Sequence, residues 1–224
     1  MLTAEDLLLL LLDDETGKPI IDRTKLDHAL AGALLVELAV RGCVDIADRG
    51  EKVRKGRLIV RDASPIGDEV LDKALRLVSD KEGSKPVSVL KQLGKGLRDR
   101  LLDRLADRGI LRREQGTILG LFPTRRWPTA DARHETEIRA SLHDALVNGH
   151  PPDQRAGALI SLLLAVDGLR KVVDTRDKRA MKRRAKEIAQ GAWAADAVQK
   201  AVKAVDDAVM AAIIATTVVS SNHG

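Results

Sequence analysis

Six consecutive leucines, Leu7–Leu12, stand between acidic residues on both sides, Glu5-Asp6 before and Asp13-Asp14-Glu15 after. The run has the look of a secretion-signal core, but no basic stretch precedes it and no small-residue cleavage site follows. A helix made of such a run has no polar face to turn to water. The run therefore predicts a short helix over residues 3–12, apolar all round and enclosed by other elements. Thr3 is the expected N-cap, with Asp6 at the capping-box position where Glu or Gln is usual. A second apolar run, Ala208–Val219, has twelve residues, short of the ~20 needed to cross a bilayer. It reads as another central helix. The expected chain is soluble and cytoplasmic, able to touch a membrane without spanning it.

The material for the rest of the core is narrow. The 224 residues include one Phe, two Trp and no Tyr, so Leu, Val, Ile and Ala must fill it. That choice favours helix over sheet and removes the aromatic platforms on which nucleic-acid bases stack. With 44% hydrophobic and 32% charged residues, the chain can offset the entropy of ordering, which excludes a disordered class. One cysteine, Cys43, excludes an intrachain disulfide and a Cys-based zinc site. The net charge of +5 is modest, so only its placement is informative. One domain over residues 1–224 is expected.

Periodicity predicts an amphipathic helix over Asp27–Arg41, with Leu30, Leu34, Leu35 and Leu38 on one face and Gly42 as the stop. Cys43–Ala47 and Arg57–Val60 read as a hairpin. Asp68–Ser79 is a further helix. Pro86 opens one continuous helix to Arg108, closed by Gly109, with Gly94-Lys95-Gly96 as a fragment inside the helical pattern. Ile110–Arg113 and Thr117–Phe122 read as a second hairpin around Gln115-Gly116. Residues 130–148, 153–174, 178–190 and 195–218 read as helical. A weak repetition pairs ELAVRGCVDI with RLADRGILRR, each a helix end leading to a hairpin.

Signals for catalysis are poor. The five histidines lack metal-ligand spacing, and no nucleophile elbow, phosphate loop or dinucleotide fingerprint occurs. Cys43 reads as a small core residue. No catalytic residue, metal ligand or cofactor is expected.

Basic clusters say more. On the helix after Pro86, Lys91, Lys95 and Arg98 fall at i, i+4 and i+7 and make one cationic stripe. Further along, Arg100, Arg104 and Arg108 alternate with Asp99, Asp103 and Asp107 and read as a self-paired solvated face. Arg112 and Arg113 enter the second hairpin and Arg125 and Arg126 leave it. Ile118, Leu119, Leu121 and Phe122 make both faces of its second strand apolar, and Trp127 follows. An apolar tip rimmed by arginines suits anionic headgroups; packing on a neighbouring subunit is the other reading. Lys178, Arg179, Lys182, Arg183, Arg184 and Lys186 put six cations in nine residues, a phosphate-binding face or a solvated one.

The segments LTAEDLLLLLLDDETGK, GALLVELAVRGCVDI, LRDRLLDRLADRGIL and ILGLFPTRRWP, in this order and spacing, resemble the Golgi phosphoprotein 3 family, which has many bacterial members, actinobacterial ones especially. The Arg-, Ala-, Leu- and Asp-rich composition fits a bacterial source of high genomic G+C. The resemblance implies a mainly α protein: an apolar central helix bundle wrapped by amphipathic helices, with short protruding β-hairpins. It implies no enzyme activity, peripheral attachment to the cytosolic face of a membrane, binding of phosphatidylinositol 4-phosphate, membrane-protein tails as partners, and self-association through the hairpin. The family's cationic pair spaced three apart matches Lys95 and Arg98. A family Trp and Arg fall on Asp22 and Ala31, which cannot do the same work, and Arg23 is the candidate to compensate. Phosphate binding is thus assigned to Lys95, Arg98, Arg23 and Lys91, and membrane or oligomer contact to the hairpin. The rival readings are a winged-helix-like DNA binder, disfavoured by the acids along Asp99–Asp107, and a purely oligomeric scaffold.

Overall fold

The computed structural model describes residues 1–118, 122–190 and 196–221. Ten α-helices and two antiparallel two-stranded sheets are found among them. In chain order these are α1 (Thr3–Leu10), α2 (Arg23–Val40), β1 (Val44–Ile46), β2 (Leu58–Val60), α3 (Glu69–Asp80), α4 (Pro86–Gly94), α5 (Leu97–Asp107), β3 (Glu114–Ile118), β4 (Phe122–Arg126), α6 (Arg133–His143), α7 (Gln154–Ala165), α8 (Leu169–Val172), α9 (Lys178–Ala189) and α10 (Asp196–Ser221). The mainly helical class with short hairpins is the one expected from the scarcity of aromatics.

α1 is enclosed as its leucines require, packed by α2, α5, α6 and α7, with Leu7 to Leu11 at most 1% exposed. α2 is buried nearly all round, between α1, α4, α7 and α10. It can lie close to α10 because Gly32 has no side chain: a Cβ there would come within 2.9 Å of Val209 Cγ2 and 3.0 Å of Val205 Cγ1. Asp22 caps α2, its Oδ1 accepting from the N–H groups of Thr24 and Lys25. Thr3 does not cap α1. Leu2 holds that position and Glu5 Oε2 accepts its N–H at 2.7 Å, while the Thr3 hydroxyl bonds Glu37 across the bundle.

Four further expectations change. The helix from Pro86 breaks at Lys95-Gly96, where Gly96 is left-handed (φ +63°). Gly94 brings the end of α4 onto α2, since a Cβ there would lie 3.1 Å from the Asp27 carbonyl. The glycine fragment is thus the break itself, and Lys91, Lys95 and Arg98 do not share one helix. The second hairpin pairs Glu114–Ile118 with Phe122–Arg126, so Ile118 and Phe122 lie on opposite strands instead of on one. The 153–174 helix divides at Asp167 and Gly168 into α7 and α8. α10 is not enclosed: Ala201, Val202, Val205 and Val209 face inward, but Met210 is 50% and Ile214 60% exposed.

The two acids that precede the leucine run are buried, and Glu5 holds two of the arginines read as a self-paired face. Glu5 and Asp6 are both 0% exposed. Glu5 pairs with Arg104 and Arg108, each at 3.0 Å, and Arg104 continues to Asp68 at 2.7 Å. Asp6 pairs with Arg155 and with His134 Nε2 at 2.9 Å. Breaking one side of such a pair strands a buried charge. Arg155→Met is expected to cost about 3 kcal/mol, the low end for buried pairs because His134 remains on Asp6. Thermal unfolding would then start from a midpoint roughly 6–12 °C lower. An unchanged midpoint contradicts the pairing.

Candidate functional site

Two clefts lie on the side where α2 begins and α5 begins. The first, about 550 Å³, is lined by Leu12, Gly17, Lys18, Pro19, Arg23, Arg98, Asp99, Leu102, Asp103, Arg125 and Trp127. Its walls come from four places in the chain: the loop after α1, the first turn of α2, the start of α5 and the end of β4. The loop is drawn in by Leu12–Pro19 bridging and by the Thr129 N–H, which donates to Asp14 O at 2.9 Å. Gly17 (φ +63°) sits against the Trp127 backbone so closely that a Cβ would be 2.5 Å from its carbonyl oxygen. A side chain at position 17 would therefore push Lys18 away from the cleft.

Four cations thus converge, against the two carboxylates Asp99 and Asp103. Lys18, Arg23 and Arg125 are exposed and have no carboxylate within ion-pair distance among the described residues. Arg98 is different. Its side chain is 17% exposed, and its Nη1 donates to Asp27 Oδ1 at 3.2 Å, with Asp99 3.8 Å from Nε. Burial pushes the Asp27 carboxyl above its ordinary range, and Arg98 pulls it back.

The second cleft, about 800 Å³, is lined by Thr24, Asp27, His28, Leu90, Lys91, Gln92, Gly94, Lys95, Gly96 and Thr216. Lys91 and Lys95 are exposed there without ion-pair partners among the described residues. His28 Nδ1 is shielded from solvent and has no hydrogen-bond partner among the described residues. Asp27 belongs to both places, lining this cleft while holding Arg98 of the other. The break at Gly96 therefore puts Lys95 and Arg98 in neighbouring clefts with an acid between them.

The hairpin residues divide. Trp127 is 8% exposed, packed beneath Arg113, whose guanidinium carbon is 5.8 Å from the ring centroid. Its indole is part of the core and not a lipid anchor. Arg113 is held by Asp103 at 3.2 Å and Asp107 at 2.8 Å, and Arg112 by Glu114 at 2.6 Å. Arg125 and Arg126 are exposed and lack such partners among the described residues. Leu119 and Leu121 lie outside the described residues, as do the side chains of Ile118 and Phe122. Lys18 was not singled out from the sequence. Its signal was the Gly17-Lys18-Pro19 turn, which reads as a connection when only local pattern is weighed. Cys43 is buried, and burial raises its thiol pKa. No group of three or more His, Cys, Asp or Glu able to hold a metal ion occurs among the described residues. No described helix is long and apolar enough to cross a membrane.

The described residues thus form a helix-wrapped leucine core with a cleft lined by four cations on its surface. The Golgi phosphoprotein 3 (GPP34) family profile matches residues 3–205, and the chain belongs to that family. It is also similar to the vacuolar protein sorting-associated protein 74 of Eremothecium gossypii, 30% identical over 163 residues. That match covers 64% of this chain and 48% of the relative, so the chain matches about half the length of that protein.

Proposed function

We propose that this chain is a single-domain, non-enzymatic adaptor. It docks on the cytosolic face of a membrane by holding anionic phospholipid headgroups in the cleft of Lys18, Arg23, Arg98 and Arg125. One observation carries the reading: cations from four separated segments meet in one concavity, three of them outside ion-pair distance of any carboxylate among the described residues. An exposed solvated charge needs no such convergence. A phosphomonoester offers oxygens for charge-assisted bonds from arginine forks, and each cation close to an anionic surface contributes about 1 kcal/mol. Lys95 and Lys91 line the rim of the adjoining cleft and attract a second phosphate of the same surface. Arg126 follows Arg125 on β4 and adds a further exposed cation beside the cleft. Family membership supports a membrane-trafficking setting, with phosphatidylinositol 4-phosphate as the first headgroup to test and membrane-protein tails as cargo.

The DNA-binding reading has less support. Val44, Ile46, Leu58 and Ile59 of the first hairpin are buried, so that hairpin is no free wing.

Asp27 competes with any phosphate for Arg98. Flotation with phosphatidylcholine vesicles containing phosphatidylinositol 4-phosphate is expected to recover the chain, and pure phosphatidylcholine vesicles are not. Asp27→Asn frees the guanidinium and is expected to tighten binding several-fold, as about 1 kcal/mol of competition is removed. Equal recovery on both vesicles, or weaker binding by a folded Asp27→Asn protein, counts against the cleft.

A further inference from the structure

Positive charge is concentrated away from the cleft. From Arg170 to Lys186 the chain has nine lysines and arginines against two aspartates, a net +7, whereas the whole chain carries +5. All other residues together are therefore net −2. We propose that the exposed face of α9 is a second anionic-membrane contact, distinct from the cleft, which meets bilayer phosphates by charge alone; it rests on the membrane reading above.

The face is built by helix periodicity. Met181, Ala185 and Ile188 are buried and seat α9 on α7 and on the π-helical turn Asp144–Asn148. The opposite side then carries Arg179, Arg183 and Lys186 at i, i+4 and i+7, over about 10 Å of helix. All three are exposed and none has an ion-pair partner among the described residues. Their neighbours are spoken for: Lys182 faces Asp167 at 3.9 Å, and Arg184 reaches Glu187 and the carbonyls of Ala145 and Gly149. The outward row has no acid and no apolar or aromatic side chain, so it has nothing to insert into the hydrocarbon of a bilayer.

One observation favours a membrane over a nucleic acid. The cationic segment starts beside the cleft, where Lys171 Nζ donates to the Ile20 carbonyl, in the same loop that contributes Lys18 and Pro19. The cationic segment that ends in α9 thus begins at the cleft wall, with Asp174 and Asp177 between the two.

The test uses the full chain and vesicles of phosphatidylcholine with phosphatidylserine, which carry no phosphomonoester headgroup for the cleft to select. The triple variant Arg179→Gln, Arg183→Gln, Lys186→Gln is expected to partition roughly 100-fold less, each cation being worth about fivefold. Arg179→Lys with Arg183→Lys keeps the charge and is expected to bind as the parent does. A folded glutamine variant that binds like the parent overturns the α9 contact and leaves the cleft reading standing. A parent chain that binds neither these vesicles nor phosphoinositide ones overturns both. Loss of duplex DNA binding in the glutamine variant, with vesicle binding unchanged, reassigns the face and also overturns the proposal.

Discussion

A chain carrying Asp206→Asn is expected to be more stable than the parent at neutral pH, by about 4 kcal/mol at pH 7. Asp206 lies on the part of α10 that packs over α2, with Val205 and Val209 against Gly32. The residue is half-buried, but its Oδ1 is shielded from solvent and has no donor among the described residues. Burial, with Asp207 beside it, pushes the carboxyl from 3.8 up to about 8. The folded chain therefore keeps a proton there that the unfolded chain releases. Below about pH 4 both states are protonated and parent and variant differ little. As pH rises toward 8 the parent loses about 1.4 kcal/mol per unit relative to the variant, and the gap stops widening once the folded group ionises. Urea unfolding at pH 4, 6 and 8 reads this directly. Parallel stabilities for the two proteins across that range contradict the buried acid.

The second large effect concerns the cleft. Lys18→Glu, Arg23→Glu and Arg125→Glu together turn three attractive charges into repulsive ones. At about 1 kcal/mol per cation, loss of the attraction alone weakens binding to anionic vesicles by roughly 100-fold, and the new repulsion adds to it. A global change of charge would also weaken binding, so position must be separated from sum. Arg54, Lys55 and Arg76 are exposed and line neither cleft. Reversing those three changes the net charge by the same amount and is expected to have a much smaller effect. Equal losses in the two triples would mean that the cleft has no special role.

Much of the helical frame was legible because burial imposes period on sequence. The leucine run, α2, α3 and the β1–β2 hairpin lie where their apolar spacing puts them. What escaped the sequence was long-range. Arg104 and Arg108 looked satisfied by the aspartates beside them, yet they reach Glu5 about a hundred positions away, and nothing local marks that choice. A clue was present: two acids at the head of an all-leucine helix cannot both find water. Gly94 and Gly96 were legible as residues but not as a break, because a glycine inside an apolar period is compatible with helix. Only the approach of α4 to the Asp27 carbonyl makes Gly94 necessary. The same break moved Lys95 away from Arg98, so the stripe read along one helix became the rims of two clefts. The apolar run 117–122 suggested one strand, and nothing in its composition marks that Ile118 and Phe122 belong to two. Lys18 and Arg125, both part of the cleft, are brought to Arg23 and Arg98 by the loop's stitching to Thr129, which no pattern in either segment announces.

The claim at the centre is that guanidiniums of the cleft hold a phosphate. Arginine side-chain NMR signals of the full chain, followed during titration with a soluble inositol phosphate headgroup, test it without a bilayer. The account predicts saturable shifts of the Arg23, Arg98 and Arg125 Nε–H resonances, with Arg98 moving as it leaves Asp27. Shifts confined to α9, or none at concentrations where the chain still floats with phosphoinositide vesicles, would contradict it.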